Sequence, residues 1–496
     1  MLEKIDKLTK GKIIAIVALA LVMLAFLTNY YGSTDLGDYS DTARYFAGNY
    51  AADIRSSHSY LYGFIHSPLM GFSNYFAFKI TSLIFLFAIV YSVYIISNRD
   101  RRALVLMLVS PVVWYMAPWI NPIQLASLCL LWAYYFMERY DKTNYLPNAV
   151  YAGIFIGLGL AFWDTILFFG SFLVLAYVFN KKLSHLMLII AAIFVGLLPR
   201  LLLDYASFGF PFFSLIKSFF GTLTNAFFMG RGTAYTPSYL KNSIFFLLVI
   251  LSIPYYFWSR CVKRYFLKQH TKAMVFLILS FLLILINPQI RYTLALLPIA
   301  VLLILPELSQ QQWRTQIIVS SCITLIFIIP YIIQVPYSIN ESEYYDITEV
   351  LINLPSLTIT SYSESQLIAS DLAQIERDYP SETFLVLGHP DYYQKLAHLY
   401  WGKSINELVS IQDYNLWKKN ETVIFEKRLQ FNPQINDRRS IWIGGGIMKN
   451  PNDDTNYENI RYAIALNLSS NHPGFSPLKR YTRLQVLKKE PWGMLK

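Results

Sequence analysis

Apolar runs of about twenty residues recur along the first two thirds of the chain, each bounded by a few charged or turn-forming positions. A run of that length crosses the hydrocarbon of a bilayer as one helix. Eleven runs qualify: 13–30, 75–97, 103–118, 120–137, 147–163, 165–180, 185–204, 242–258, 273–287, 291–306 and 315–335. The first has no small-residue cleavage site behind it, only Thr28-Asn29-Tyr30-Tyr31, so it reads as a retained signal anchor. Beyond residue 335 the period changes. Strand-like runs (Thr383–Leu387, Thr422–Phe425, Ser440–Ile443, Tyr462–Leu466, Arg483–Leu487) alternate with helix-like ones (Glu364–Asp378, Asp391–Tyr400, Ile405–Val409). The pattern predicts an all-α polytopic membrane bundle over 1–335, with about 11 transmembrane helices, and a C-terminal soluble α/β domain over 336–496.

Charge sharpens that division. The first 335 residues hold 37 charged side chains and the last 161 hold 36, and the net charge of +11 comes from the first block. A soluble enzyme, a disordered chain and a nucleic-acid binder are excluded, because the basic excess sits within a hydrophobic block. Alternate loops are unequal: one set carries 17 Lys and Arg, from Lys4 to Arg314, and the other carries 7. The positive-inside rule then places the N-terminus in the cytoplasm of a multi-pass plasma-membrane protein. With an odd number of spans, residues 336–496 are extracytoplasmic. None of the three cysteines lies in the soluble block, so no disulfide framework holds it.

Two of the outward loops are long, 31–74 and 205–241, and long loops on one face of a bundle are where function concentrates. The first contains Asp38 and Asp41, three residues apart at the start of a helix-like stretch. One reading makes Asp38 an N-cap with Asp41 in the first turn. The other makes one of them a general base at the membrane surface, taking a proton from an acceptor hydroxyl. His58 and His66 in the same loop are candidates to orient a phosphate or a sugar. Arg200, beside Pro199 near a span end, reads as either a snorkelling or a substrate-facing cation, and Asp164 as a marker of the turn between two spans. His389 and Asp391 read as a helix entry, and Gly444-Gly445-Gly446 as a turn. No His/Cys cluster has zinc spacing and no phosphate-loop lysine motif is present.

Several segments, taken in order, resemble the polytopic GT-C glycosyltransferases, in particular the protein mannosyltransferase and aminoarabinose transferase group. Asp41-Thr42-Ala43-Arg44-Tyr45 is similar to that group's Asp-Glu-x-x-Tyr pattern, with Thr42 in place of the acidic second residue. An aromatic–His–Ser–Pro stretch follows at Phe64–Pro68, then Asn121-Pro122, the segment Leu203–Pro211, and Arg291-Tyr292 opening a run that ends in Pro298. The resemblance spans about 335 residues. It implies transfer of a sugar, with inversion, from a polyprenyl-phosphate donor to an extracytoplasmic acceptor: a glycan, a lipid or a protein. It further implies Asp41 as the base with Asp38 beside it, and Arg44, Tyr45, His66, Arg200, Lys217, Arg231, Arg291 and Tyr292 as substrate-binding residues. Arg291 is the one suited to a lipid-phosphate leaving group; its bland role is to snorkel at the interface. The resemblance names no definite cofactor, and with Thr42 replacing an acid a divalent metal stays open. Two other classes stay open as well, a polysaccharide polymerase or ligase and a flippase of lipid-linked sugar. The first would place several arginines in the long loops. The second would show internal repeats and charges inside spans, of which Lys79 is one.

Overall fold

Prolines and small polar residues decide where the apolar runs break. A computed structural model of the chain describes residues 11–27, 36–48, 60–70, 74–178, 181–216, 246–286, 290–332, 362–387, 408–410, 428–430, 440–442, 460–467 and 474–490. The helices in chain order begin with α1 (Gly11–Leu27), α2 (Leu36–Phe46), α3 (Tyr60–His66) and α4 (Asn74–Ile96). They continue as α5 (Arg101–Leu108), α6 (Pro111–Met116), α7 (Ile123–Thr143), α8 (Leu146–Phe162), α9 (Ile166–Val178) and α10 (Leu183–Phe208). Then come α11 (Tyr255–Cys261), α12 (Arg264–Gln269), α13 (Thr271–Ile286), α14 (Leu297–Ile304), α15 (Gln310–Ile332) and α16 (Tyr362–Asp378).

Every apolar run carries helix, but not always one helix. The run at 103–118 divides into α5 and α6 because Pro111, which has no N–H to donate, starts a new helix after Ser110. The run at 242–258 carries helix at 246–251, breaks at Ser252–Pro254, and resumes as α11. The run at 291–306 opens with a 3₁₀ turn, Ile290–Ala295, before Pro298 starts α14. Among the described residues, two stretches, Phe76–Ile96 and Leu183–Ser207, are long and apolar enough to cross a bilayer unbroken. Gly11–Leu27, Leu146–Phe162, Ile166–Val178, Thr271–Leu285 and Leu297–Glu307 are shorter apolar helices.

The chain divides into two compact units. The first comprises 1–32, 75–203 and 237–334, and the second 33–74, 204–236 and 335–496. Glycines set the closest approach inside the first. A Cβ on Gly157 of α8 would overlap the Ile193 carbonyl oxygen, and one on Gly196 of α10 would overlap that of Ile154. The two backbones therefore touch, which is how helices gain dispersion energy where lipid is as apolar as the side chains.

Among the described residues of the second unit, seven strands follow α16: β1 (Phe384–Val386), β2 (Leu408–Ser410), β3 (Arg428–Gln430), β4 (Ser440–Trp442), β5 (Tyr462–Leu466), β6 (Phe475–Arg480) and β7 (Leu484–Lys489). Five form one sheet in the order β2-β1-β5-β7-β6, parallel across β2, β1 and β5 and antiparallel beyond. Ile368, Leu372 and Ile375 of α16 cover one face, against Phe384, Val386, Ile464, Leu484 and Val486. Leu385, Leu387, Ile460, Ala463, Ala465 and Leu487 make a second cluster on the other face. Strand β1 is buried along its length, as a parallel strand inside a sheet must be. The mostly helical chain thus ends in a small α/β sheet. Leu408 and Val409 lie in β2, so the helix expected at 405–409 is not formed there: the sheet edge at β1 captures a short apolar pair whose local pattern was ambiguous. The runs at 422–425 and 391–400, His389 and Gly444–Gly446 lie outside the described residues, as does His58.

Candidate active site

Within the second unit, α2 carries the Asp-x-x-x-Tyr segment and α3 leads to His66. Helix α2 begins at Leu36, so Asp38 is inside its first turn and not at its N-cap. Asp41 lies one turn further on; the side chains of both aspartates are outside the described atoms. The remainder of the helix is well defined by what it buries. Tyr39, Ser40, Thr42, Ala43 and Tyr45 are buried, and Arg44 is half-buried. Tyr39 meets Tyr62 edge to face at 5.3 Å, and Phe46 meets Tyr60 and Phe64 at 5.6 and 5.0 Å. Gly63 makes this approach possible: a Cβ there would lie 2.6 Å from Cβ of Thr42 and 3.0 Å from the Tyr39 carbonyl oxygen.

His66 closes α3. It is 1% exposed, and its Nδ1 lies 2.7 Å from the Tyr62 carbonyl oxygen. A carbonyl only accepts, so Nδ1 carries the proton and Nε2 the lone pair. Burial pulls its pKa down to about 4, against the opposing pull of the Tyr62 bond, so the ring is neutral at physiological pH. The end of α10 supports α3 from the same unit. Tyr60 donates to Ser207 Oγ at 2.5 Å, and Asp204 accepts from the backbone N–H and hydroxyl of Ser214 at 2.9 and 2.7 Å. Gly209, at φ +72°, turns the chain between them.

In the first unit, three short connections of the expected outward set converge: 117–122, 163–165 and 290–295. Arg291 lies over the rings of Trp119 and Tyr292, at 5.9 and 5.4 Å, and Tyr292 in turn meets Trp163 at 5.3 Å. Thr293 anchors the 3₁₀ turn through Ser252 Oγ at 2.8 Å and the Ile290 carbonyl at 2.7 Å. Asn121 caps α7 by accepting from the Ile123 N–H at 3.0 Å, and Gln124 donates to the Trp119 carbonyl at 3.1 Å. Arg200, 1% exposed, is ion-paired with Asp164 and donates to the Leu160 carbonyl at 3.2 Å. Asp164 therefore has a partner, and Arg200 is a buried ion-pair member rather than a snorkelling cation. Lys79, fully buried near the start of α4, donates to the Pro118 carbonyl, one residue from Trp119. Lys79, Arg200, Arg291 and four aromatic rings (Tyr115, Trp119, Trp163 and Tyr292) are thus linked through these connections and the helices beside them.

Of the residues singled out in the sequence, Arg291, Tyr292 and Arg200 come together in the first unit, and Thr42, Arg44, Tyr45 and His66 in the second. Lys217 and Arg231 lie outside the described residues. Sequence reasoning underrated Lys79, although an ionisable residue within an apolar run is a functional candidate by default, and it gave Asp204 and Ser207 no role of their own. Among the described residues no group of three His, Cys, Asp or Glu is placed to hold a metal ion.

No protein-family model and no curated protein sequence matches the chain. Among solved structures it is similar to ArnT from Cupriavidus metallidurans bound to undecaprenyl phosphate, at 12% identity and a TM-score of 0.49, over 97% of this chain and 98% of that one. The apo state of the same ArnT gives 12% identity and 0.47, over 96% and 97%.

Proposed function

We propose that this chain is a membrane glycosyltransferase that moves a sugar from a polyprenyl phosphate to an acceptor outside the cytoplasm. In this reading the eleven apolar runs are eleven crossings, the N-terminus is cytoplasmic and residues 336–496 are extracytoplasmic. The observation that carries it is the linked set of Lys79, Arg200 and Arg291 among aromatic side chains in the connections at 117–122, 163–165 and 290–295. A leaving lipid phosphate develops charge that a preformed cation such as Arg291 stabilises best in a site shielded from water, with Arg200 held by Asp164 and Lys79 held by the Pro118 carbonyl as the frame around it. Arg291 suits that role because its planar fork grips two phosphate oxygens and the rings of Trp119 and Tyr292 fix its plane.

The bond between the sugar's anomeric carbon and the phosphate oxygen breaks, and a bond from that carbon to the acceptor forms on the opposite face, with inversion. The acceptor's proton passes to a carboxylate on α2, Asp41 in our reading, with Asp38 as its helper. Neutral His66, with its lone pair on Nε2, and the half-buried Arg44 are substrate-positioning groups on the same pair of helices, with Tyr45 behind them; Lys217 and Arg231 belong to the second long loop.

The deciding variant is Asp41→Asn, which keeps size but takes no proton. Loss of a general base costs about 10²–10⁴-fold, so the variant should insert normally yet fail to restore the glycan of a deletion strain. Wild-type restoration by Asp41→Asn with loss in Asp38→Asn exchanges the two roles; restoration by both removes the mechanism. Orientation is tested separately by a reporter active only outside, which should work after Lys496 and stay silent after Lys272.

A further inference from the structure

The soluble segment has an uneven charge distribution that the transfer reaction does not use. Residues 336–496 contain 17 Lys and Arg and 19 Asp and Glu. Five of those cations, Lys479, Arg480, Arg483, Lys488 and Lys489, but a single acid, Glu490, fall within 474–490. The β6–β7 hairpin is therefore +4, while the other residues of the segment, with 12 cations and 18 acids, are −6.

The hairpin is rigidly mounted. Leu484, Val486 and Leu487 are buried in the sheet, and Asp371 of α16 accepts from the N–H groups of Thr482, Arg483 and Leu484 at 3.2, 2.6 and 2.9 Å. Strand β6 is the outer strand at one end of the sheet order. Lys479 is neutralised by Asp378 at 2.6 Å. Arg480, Arg483 and Lys488 are exposed and Lys489 is half-buried, so cations stand at both ends of the edge. Between them, at the irregularity in the β6–β7 pairing, Leu478 is 48% exposed.

Guarding an open sheet edge explains part of this, since Pro477 and a lysine on β6 would discourage strand addition. It does not explain Arg483 in the turn, nor Lys488 and Lys489 on the inner strand β7. An outward leucine is the opposite of a guard. The register puts Arg480 and Lys489 on one face of the sheet and Lys488 on the other, and an edge flanked by cations on both faces around one apolar side chain is a composition that settles edge-on on anionic lipid headgroups. The chain also supplies proximity: 29 residues separate Ile332 from Tyr362, a tether that spans at most about 100 Å, so weak contacts suffice.

We propose that the 474–490 hairpin docks on anionic phospholipid headgroups of the membrane in which the chain is embedded. This does not rest on the transferase reading and holds for either orientation of the segment. The test is amide hydrogen exchange of the full-length protein in nanodiscs of phosphatidylcholine, with and without phosphatidylglycerol. Exchange across 474–490 should slow when phosphatidylglycerol is present, and the protection should vanish at high salt. Each basic residue near an anionic surface contributes about fivefold, so Arg480→Gln with Lys488→Gln should cut the protection about 25-fold. Unchanged exchange in β1 and β5 shows that this variant is folded, and Leu478→Ser is a second variant should it not be. Equal exchange in the two lipids overturns the proposal, as does protection that survives the double variant. Protection that appears in neutral nanodiscs only after a polyanionic glycan is added also overturns it and assigns the surface to a glycan.

Discussion

Gly63→Ala isolates the contact on which the proposed base depends. The new methyl would sit 2.6 Å from Cβ and 2.8 Å from Cγ2 of Thr42, and 3.0 Å from the Tyr39 carbonyl oxygen. Carbon atoms rest at about 3.5–4.0 Å, so α2 and α3 must part by about 1 Å, because neither the Tyr39 backbone nor a β-branched Cβ can swing away. Overpacking of this size costs about 1–3 kcal/mol. The functional cost is larger, since a misplacement of about 1 Å loses about 10²-fold in rate. Adding Thr42→Gly removes the two nearest atoms at about 0.3 kcal/mol of helix propensity, plus the lost burial of the Thr42 methyl. Activity should therefore return in the double variant while stability does not. Glycan restoration in a deletion strain, quantified by mass spectrometry, reads the first quantity; thermal unfolding of the purified protein reads the second. Full restoration by Gly63→Ala alone, with an unchanged melting temperature, would refute the close approach of the two helices.

Close packing and buried polar groups elsewhere set three further outcomes. Gly157→Ala and Gly196→Ala each drive a methyl into a backbone oxygen, so each should destabilise the first unit by about 3 kcal/mol or more in detergent melts, while Gly11→Ala, which meets nothing, should be neutral or stabilising. Asp371→Ala strands three N–H groups and should speed hydrogen exchange across 474–490, with Asp371→Asn intermediate because it keeps one accepting oxygen. His66 has a folded pKa of about 4 against an ordinary 6.5, so the unfolded chain takes up its proton first. Stability is complete above pH 6.5 and falls by up to about 1.4 kcal/mol per pH unit down to about pH 4; His66→Gln should flatten that part of the unfolding profile.

Hydropathy placed helix on every apolar run because burying backbone polar groups in lipid leaves helix as the only open solution. It could not see the breaks at Pro111, Pro254 and Pro298, because a sliding apolar average weights proline's missing N–H at nothing. In the soluble segment, α16, β1, β4, β5 and β7 were legible from period and branching. Strand β6 was not, since Ser476, Pro477, Lys479 and Arg480 suit only an edge strand, and that edge exists only once β7 has paired with β5. The site was legible as motifs but not as pairs. Asp164 and Arg200 are 36 positions apart and Lys79 and Pro118 are 39 apart. Only the turns that the bundle brings together make them neighbours.

Thr42 shows how local packing and chemistry exchange roles at one position. The pattern that the loop resembles has an acid there, and an ionised carboxylate buried without a cation costs several kcal/mol. In this chain position 42 is 1% exposed and its side chain lies against the space where Gly63 has no Cβ. A glutamate would need that space for two more carbons and a partner for its charge. Threonine fills the position with a methyl and a hydroxyl, and so fixes α2 on α3. In the proposed reaction the acidic function falls to Asp38 and Asp41, on the helix that Thr42 holds in place. In the proposed reaction, charge neutralisation of a lipid phosphate falls to Arg291 in the turn at 290–295. A chain built this way needs no second acid at position 42, and Thr42→Glu should fail by unfolding the α2–α3 pair rather than by gaining activity.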